Sequence, residues 1–414
     1  MVGIRLKSKF RFRFIYLIAV VVFCLTLYDI AYLKILIGKL DYLQLFNILA
    51  AVGLIVIHGM KTHIRVPRIV MLLVATVIYI LAITLLKGGS LWYSVQTFSA
   101  PICLCLVFGL VRSTEELHQV LKIWCVLLFG LLMLDFLTMI VFPSGLYKSE
   151  FYTDNWFLGY KTLRFHFTFP LLVLYFYLQL SEKRRLTKSA YILAVLVIAN
   201  IARSFSMGGS IMVTMFVLIV ILLSRGWNDV KMNRLEKVIL SLIRNYLLVL
   251  AVYFLVFYVI IVLPSNPYIS AFLENYLHKT ADFSGRTPIW LKSLDEVGRN
   301  PVIGYGLLTS SEYMKFTGGY VNPHNTILTY LLEGGLIGSV MMLVYMGFVA
   351  KSAKKDRQNY IFVCYMYVIF FLGLVSSALA FSPMYYTLLI LPLYRLELKK
   401  DTTEVLTNTV RKHQ

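Results

Sequence analysis

Apolar residues in this chain come in long runs separated by short polar segments, without the alternation of strands or the periodic polar positions of amphipathic helices. Each run approaches the roughly 20 residues that a helix needs to cross about 30 Å of hydrocarbon. Because a helix satisfies its own backbone polar groups, it is the open-ended element expected inside a bilayer. The pattern therefore predicts a polytopic, all-helical membrane protein.

The runs predict about twelve spanning helices. Those within residues 1–263 lie near 14–33, 41–58, 68–86, 91–111, 123–142, 165–180, 189–207, 209–224 and 246–263, joined on one side by short basic loops. The others, within 325–396, lie near 325–350, 360–379 and 383–396. The segment 264–324 is predicted to lie outside the membrane, and a polar tail is expected over 397–414.

Composition agrees with a membrane protein and disfavours other classes. The chain is 59% apolar and 14% charged, too little charge for the surface of a soluble domain of 414 residues. Its net charge of +20 suggests nucleic acid at first, but 28 of the 40 Lys and Arg residues fall in segments on the side of the two termini. The positive-inside rule explains this bias with both termini cytoplasmic and no nucleic acid. The five cysteines lie in or beside apolar runs, so neither a disulfide framework nor a zinc site is indicated.

Two outer segments, 143–164 and 264–324, are longer than the roughly 15 residues of an ordinary connection and are expected to be functional. The second contains aromatic residues throughout and a helix start at 284–288, where Pro288 suits the first turn. We expect it to fold as an external cap over the bundle. No nucleotide-binding motif occurs, so any chemistry is expected on the outer face.

Two arginines near the outer surface are candidates for binding an anion. Arg203 lies fourteen residues after the predicted start of its span at Ser189, and that length covers only about 21 Å. It is therefore expected below the surface, facing a wet cavity or an anion, unless it extends to the outer headgroups. Arg164 closes the segment 143–164, where it could bind a ligand or serve as an interfacial anchor.

His324 and Arg286 are candidates at opposite ends of the cap. His324 and Asn325 follow Asn322-Pro323 and open the tenth predicted span. The helix dipole lowers the pKa of a histidine at this position, which favours the neutral imidazole of a general base. The alternative is a polar pair that caps the helix, since asparagine is a favoured cap residue.

Two carboxylates fall inside predicted spans, Glu333 in the tenth and Asp135 in the fifth. A buried carboxylate must be protonated or paired. For Glu333 we favour pairing with one of the arginines over a role in proton transfer. Gly334 and Gly338 have the spacing typical of close helix packing.

The stretch from Ser284 to Gly338 resembles the conserved region of the O-antigen polymerase and O-antigen ligase superfamily. The matching pieces are Gly285-Arg286 followed by Trp290, Asn300-Pro301 with Gly304 and Gly306, His324-Asn325, and Glu333-Gly334-Gly335-Leu336-Ile337-Gly338. Each piece is short, and their order and spacing together carry the resemblance. The large outer loop late in the chain extends it to the overall topology.

The resemblance implies a class C glycosyltransferase-like bundle of helices. It implies a glycan donor on undecaprenyl pyrophosphate at the outer face of the bacterial cytoplasmic membrane, a glycan or lipid acceptor, and no metal or other cofactor. Arg286 would hold the pyrophosphate and His324 would serve the acceptor hydroxyl. Arg164 and Arg203 would also contact the pyrophosphate, and other polysaccharide-assembly membrane proteins would be partners.

One departure from the family concerns Arg203. The family often has a Ser-Arg-Gly turn where this chain has Ser206-Met207-Gly208, and Arg203 lies one helical turn earlier. Either Arg203 supplies the same charge from the adjacent position or this part of the site is rearranged. Aromatic faces stack on sugars and also form cores. The residues expected to contact the glycan or support the site are Trp290, Tyr305, Tyr320, Asn325 and Glu333.

The leading hypothesis is a polysaccharide polymerase that transfers a carrier-linked glycan to the terminal sugar of a carrier-linked repeat unit, with inversion. The first alternative is a ligase of the same superfamily, which transfers the finished glycan to a lipid or another cell-envelope acceptor. The second, of another class, is a flippase for lipid-linked oligosaccharides. A flippase predicts internal repeats and a midplane site made of broken helices.

Overall fold

The computed structural model describes residues 13–37, 40–62, 64–148, 154–160, 163–203, 207–225, 234–262, 286–376 and 383–412. Their regular structure is helical, apart from two isolated bridges between residues 147 and 159, and no strand occurs in these ranges. The predicted all-helical class is therefore confirmed.

The helices up to residue 225 follow one another with short connections, except for the segment 142–164 between α6 and α7. They are α1 (Phe14–Cys24), α2 (Ala31–Ile37), α3 (Leu40–Thr62), α4 (Val70–Leu86), α5 (Leu91–Leu110), α6 (Thr114–Val141), α7 (Phe165–Lys183), α8 (Lys188–Arg203) and α9 (Met207–Arg225). A 3₁₀ turn (Leu25–Asp29) separates α1 from α2, where one span was predicted. α6 begins before the predicted 123 because Ser113 caps it, accepting a bond from the Glu116 amide at 3.1 Å, and its first turns are polar.

The helices of the second half include two in the cap. They are α10 (Arg234–Arg244), α11 (Tyr246–Phe257), α12 (Arg286–Arg299), α13 (Ser310–Thr317), α14 (Thr326–Lys355), α15 (Tyr360–Leu372) and α16 (Pro383–Lys412), with a π turn (Tyr258–Val262) after α11. α16 continues through the segment 397–412, where a polar tail was expected.

By length and composition, four of the described helices can cross a membrane, or five if the α10–α11 pair counts as one bent span. The four are α3, α5, α6 and α14, and three shorter apolar helices cover Phe14–Tyr28, Val70–Leu86 and Gly208–Ser224. An integral membrane protein is supported. The predicted total of about twelve spans stays a prediction.

α7 and α15 form the centre of the bundle, because nearly all of their side chains are buried. They pack directly on each other, with the Phe169 and Tyr365 rings 4.9 Å apart and the Tyr177 and Phe362 rings 5.0 Å apart. α3 lies at the periphery, where large apolar side chains such as Phe46 remain exposed. That exposure is expected of a helix that faces lipid and not water.

The described part of the cap, residues 286–324, packs against the start of α14. Trp290 of α12 is fully buried against Ile261 and Leu328. Tyr313 of α13 is buried with Leu308 and Leu332. The predicted helix start is confirmed, since α12 begins at Arg286 with Pro288 in its first turn. The remainder of the predicted cap, 264–285, lies outside the described residues.

α14 is broken at Gly335 (φ 59°, ψ −161°), and the loop 301–306 enters the break. In a continuous helix the amides of Leu336 and Ile337 would bond to the carbonyls of residues 332 and 333. Here the loop bonds to all four groups. The bonds are Leu336 N to Pro301 O (2.8 Å), Ile337 N to Val302 O (3.2 Å), Tyr305 N to Leu332 O (2.7 Å) and Gly306 N to Glu333 O (2.8 Å). The break therefore leaves none of these four groups unsatisfied, as a membrane interior requires.

Glycines allow this close contact of backbones. A Cβ on Gly304 would lie 2.5 Å from the Gly335 nitrogen, and a Cβ on Gly306 would lie 2.5 Å from the Cα of Thr84 in α4. Gly304, Gly306 and Gly335 all have positive φ. A Cβ added to Gly338 would lie 3.4 Å from the ring of Tyr79 in α4. The predicted close packing is therefore confirmed.

Replacing Gly304 or Gly335 by alanine is expected to destabilise the fold by about 2–4 kcal/mol, because the added Cβ overlaps opposing backbone in a left-handed conformation. Thermal unfolding of the detergent-purified protein measures the effect. Gly130→Ala in α6 is the control, since nothing lies within 4 Å of its added Cβ. Unchanged unfolding temperatures for both loop variants would show that the inserted loop does not hold α14.

Candidate functional site

Asn325 anchors the entry to α14. Its side chain is fully buried, its Oδ1 accepts a bond from the Leu328 amide at 3.0 Å, and its Nδ2 donates to the Leu374 carbonyl at 2.9 Å. Leu374 follows the end of α15, so one side chain caps α14 and joins it to the central helix. The capping interpretation is therefore correct for Asn325.

His324 lies just outside that cap in a left-handed conformation (φ 50°), which is uncommon for a residue other than glycine. Its amide donates to Asn322 Oδ1 at 2.9 Å. Holding a histidine in this conformation costs on the order of 1–3 kcal/mol, which the buried Asn325 cap next to it offsets. The backbone of the half-buried His324 is thus held at the N-terminal end of α14.

Arg286, the first residue of α12, acts electrostatically on His324. Burial and the Arg286 guanidinium together lower the pKa of His324 to about 4. The imidazole is therefore neutral at pH 7 and able to accept a proton. The predicted direction of the pKa shift is confirmed, but its causes are burial first and Arg286 second, where the sequence suggested the helix dipole.

The cap aromatics differ in what they can contact. Trp290 is fully buried in the packing between α12 and α14, so it supports the cap and offers no face to a sugar in this structure. Tyr305 stacks near Phe316, with ring centres 4.6 Å apart, and its hydroxyl donates to the Glu296 carbonyl at 3.1 Å. Tyr320 is 46% exposed and is the one of these three with a large open surface.

Arg164 is fully buried at the start of α7. Its Nη2 donates to the Gly159 carbonyl at 2.9 Å, and its Nη1 lies 3.7 Å from Asp135 Oδ2. Its guanidinium carbon lies 4.9 Å from the centre of the Trp156 ring. The side chain is therefore enclosed by protein groups in this structure, and its predicted contact with a pyrophosphate stays a prediction.

Arg203, at the end of α8, shares Trp156 with Arg164. Its guanidinium carbon lies 5.3 Å from the centre of the same ring, and its Nη2 donates to the Pro143 carbonyl at 3.2 Å. Unlike Arg164, it is exposed. Trp156 is held in turn by a bond from its Nε1 to the Phe142 carbonyl at 2.8 Å. Arg164 and Arg203 therefore lie close to the same tryptophan ring.

Asp135 of α6 ties this group together inside the bundle. Its Oδ1 accepts from the Leu158 amide and its Oδ2 accepts from Asn200 Nδ2, both at 2.8 Å. The carboxyl is fully buried, and Arg164 is its cationic neighbour. The arginine partner that the sequence suggested for Glu333 is thus found at Asp135 instead.

Glu333 is bonded differently from the prediction. Its Oε1 accepts from the Tyr313 hydroxyl at 2.8 Å and faces the Leu308 amide at 3.4 Å. Among the described residues these are the groups that satisfy its carboxyl, and no arginine takes part. Glu333 therefore fastens α13 and the loop end to α14 just before the helix break, which is a structural role.

The candidate residues form two groups, and both groups lie at the same end of the bundle. α7 and α15 run antiparallel, so the start of α7, where Arg164 lies, is near the end of α15. The end of α15 receives the Asn325 side chain next to His324. One group therefore contains Arg164, Arg203 and Trp156, and the other contains Arg286 and His324.

These observations define the class of the protein. It is an all-helical membrane protein with arginines and a neutral histidine at one end of the bundle. Residues 167–343 match the family model described as O-antigen ligase. The resemblance to the O-antigen polymerase and ligase superfamily is thereby confirmed over this region, which contains Arg203, Arg286 and His324. No curated protein and no solved structure matches the chain.

Trp156 and Asn200 were missed in the sequence. The only sign of Trp156 in the sequence is its position in the outer segment 143–164, which is unusually long. Asn200 lies three residues before Arg203, on the same face of α8, and is a polar residue inside an apolar run. Both become informative only once α6, α7 and α8 are packed together.

Replacing Arg286 by glutamine is expected to raise the pKa of His324, because one of the two causes of its lowering is removed. Diethyl pyrocarbonate modifies neutral imidazole, so the pH at which His324 loses reactivity reports its pKa. Peptide mass spectrometry measures this residue separately from the other six histidines. In the wild type, reactivity persists until the pH falls towards 4, whereas in the variant it is lost at higher pH. The same midpoint in both would contradict the proximity of Arg286, and Arg299→Gln at the exposed end of α12 is the control.

Arg164 and Asp135 are expected to be coupled in stability. Arg164→Gln alone and Asp135→Asn alone each leave a buried charge without its partner, at a cost of about 3 kcal/mol or more. The double variant removes both charges and should be more stable than the sum of the single effects indicates. Thermal unfolding of the four proteins measures the coupling. Additive effects, like those expected for the exposed Arg299–Asp295 pair, would contradict a buried ion pair.

Proposed function

We propose that this protein is a polysaccharide polymerase. It transfers a growing glycan from undecaprenyl pyrophosphate to the terminal sugar of a carrier-linked repeat unit, without a metal. The observation that carries the proposal is the neutral His324 imidazole beside the Arg286 guanidinium, at the entry to α14. These are the two groups that transfer of a sugar from a pyrophosphate requires.

The reaction is a single displacement at the anomeric carbon. The acceptor hydroxyl gives its proton to the His324 imidazole as its oxygen bonds to that carbon. The bond from the anomeric carbon to the pyrophosphate oxygen breaks, and the electron pair leaves with undecaprenyl pyrophosphate. Arg286 stabilises the negative charge that develops on the leaving group, because a guanidinium is permanently charged and can bind phosphate through two bonds. One displacement inverts the configuration of the sugar.

The separation of the arginines into two groups supports a polymerase, which binds two carrier-linked substrates. Arg286 beside His324 suits the donor pyrophosphate, at which bond breaking occurs. The exposed Arg203 suits the pyrophosphate of the second carrier. Arg164 is a positioning residue in this scheme, since it lies buried behind Trp156 and holds the ring over which Arg203 packs.

The bias of positive charge supports an orientation with both termini cytoplasmic and the active site on the outer face of the bacterial inner membrane. A fold of about twelve spans like the class C glycosyltransferases is compatible with the described helices. In this orientation the starts of α7 and α14 face outward, together with the cap.

A ligase is the second candidate, and the match to the O-antigen ligase family favours it. The bond-making chemistry would be the same, and only the acceptor would differ. The flippase predicted a site made of broken helices, and α14 is broken. However, the loop 301–306 bonds to the four backbone groups that the break frees, so they are not available to a transported substrate.

The test uses a strain that lacks the gene and is complemented with variants. His324→Gln and Arg286→Gln are each expected to lower polymer formation at least 100-fold, the usual scale for losing a general base or a charge-stabilising donor. Lys315→Gln, an exposed cationic position in the same cap, is the control at matched protein levels. Glycan length on gels is the measurement. Polymers of normal length and amount from the His324 and Arg286 variants would refute the assignment.

The product that accumulates in the uncomplemented strain identifies the acceptor. Single repeat units attached to the final acceptor indicate a polymerase, because ligation proceeds without polymerisation. Full-length polymer retained on the carrier indicates a ligase. Transport of the substrate across the membrane of vesicles that contain the purified protein, with no change in glycan length, would support flippase activity.

A further inference from the structure

A basic cavity lies at the other end of the bundle from His324. It has a volume of about 770 Å³ and is lined by Lys237, Leu240, Ser241, Arg244, Asn245 and Lys354. Lys354 is near the end of α14, whereas His324 precedes its start, and a helix of 30 residues is about 45 Å long. The cavity is therefore separate from the proposed glycosyl-transfer site.

The helix that forms most of the cavity has the character of a membrane-surface helix. α10 meets α11 at an angle of 79°, with Asn245 capping α11 at the bend. If α11 crosses the bilayer, α10 lies close to the membrane plane. Leu235, Val238 and Leu242 form an exposed apolar stripe at helical spacing.

Two basic residues and a serine form a second stripe on the same helix. Lys237, Ser241 and Arg244 follow one another at the same spacing and line the cavity, and Lys354 faces them from α14. No carboxylate is among the lining residues in the part of the chain that the structure describes. Arg244 is fixed in place, because its Nε donates to the Tyr360 hydroxyl at 2.6 Å and its guanidinium carbon lies 5.5 Å from the centre of that ring. That bond leaves its terminal nitrogens as the pair suited to a phosphate.

We propose that this cavity binds the phosphate headgroup of an anionic phospholipid from the leaflet on that side, with the acyl chains along the apolar stripe of α10. The positive-inside rule makes that leaflet cytoplasmic, where anionic lipids attract basic residues. The apolar stripe on the same helix favours a lipid over a free anion, because acyl chains can pack on Leu235, Val238 and Leu242, whereas a free anion cannot. The proposal does not depend on the glycosyl-transfer reaction.

The test measures the affinity of the detergent-purified full chain for phosphatidylglycerol by native mass spectrometry. Lys237→Gln combined with Lys354→Gln removes two cations and leaves the Arg244–Tyr360 bond intact. Each lysine near an anionic surface accounts for about a fivefold change in affinity, so a decrease of about 25-fold is expected. Lys183→Gln with Arg185→Gln is the matched control, because both are exposed at the same end of the bundle but outside the cavity.

Unfolding temperatures without added lipid establish that both double variants fold. Retained affinity of the cavity variant for phosphatidylglycerol, or an equal loss in the control, would overturn the site. Equal binding of phosphatidylcholine by the wild type would overturn its selectivity for anionic headgroups. Inorganic phosphate that competes as well as the lipid, at equal concentration, would make the ligand a free anion and overturn the lipid assignment.

Discussion

The exchange of backbone hydrogen bonds between the loop 301–306 and the broken α14 is the constraint on which the His324 end of the bundle depends. The loop replaces two helical bonds of α14 with four bonds of its own. If the loop moved away, four backbone groups of α14 would be left without hydrogen-bond partners. This contact also fixes the depth of the cap. Glu333, just before the break, bonds to Tyr313 and thereby places α13 over the same helix. His324 is thus held between two fixed points, the inserted loop and the Asn325 cap.

Burial distinguishes two of the arginines, because Arg164 is enclosed and Arg203 is exposed. Burying a guanidinium is costly unless it is paired and hydrogen-bonded, and Arg164 has Asp135, the Gly159 carbonyl and the face of Trp156 around it. Arg203 lies over the ring of the same tryptophan and bonds to the Pro143 carbonyl, but it remains exposed. Two like charges near one aromatic ring repel each other. The carboxylate of Asp135 offsets the charge of Arg164 on the buried side, and water screens the charge of Arg203 on the exposed side.

Much of this could be predicted from the sequence because the membrane imposes simple rules. Runs of apolar residues identified the all-helical class, and the order and spacing of small motifs indicated the resemblance to the O-antigen superfamily. Asn325 as a cap and Pro288 in a first turn follow from local preferences that do not need the fold. The carboxylate pairing could not be predicted, since Glu333 and Asp135 both lie in apolar runs and only packing decides which one meets an arginine. The structural use of Gly304, Gly306 and Gly335 was equally hidden, because it depends on a loop and a helix break separated by about 30 residues of chain.

The broken helix also bears on why a cap is needed. An enzyme that joins a sugar from one carrier to a sugar on another must hold both glycans outside the bilayer while the carriers remain in it. A helix that ended at the membrane surface would leave its first amides and any catalytic residue free to move with the loop before it. Inserting the loop into α14 makes the cap and the helix a single unit, because each supplies hydrogen-bond partners that the other lacks. His324 then keeps its position relative to the lipid phase, where the pyrophosphate of the proposed donor would lie. A transporter that used the same break would need those backbone groups free to bind its substrate and release it. Here they are occupied, which is the physical reason to connect this helix break with the proposed catalysis at a fixed site.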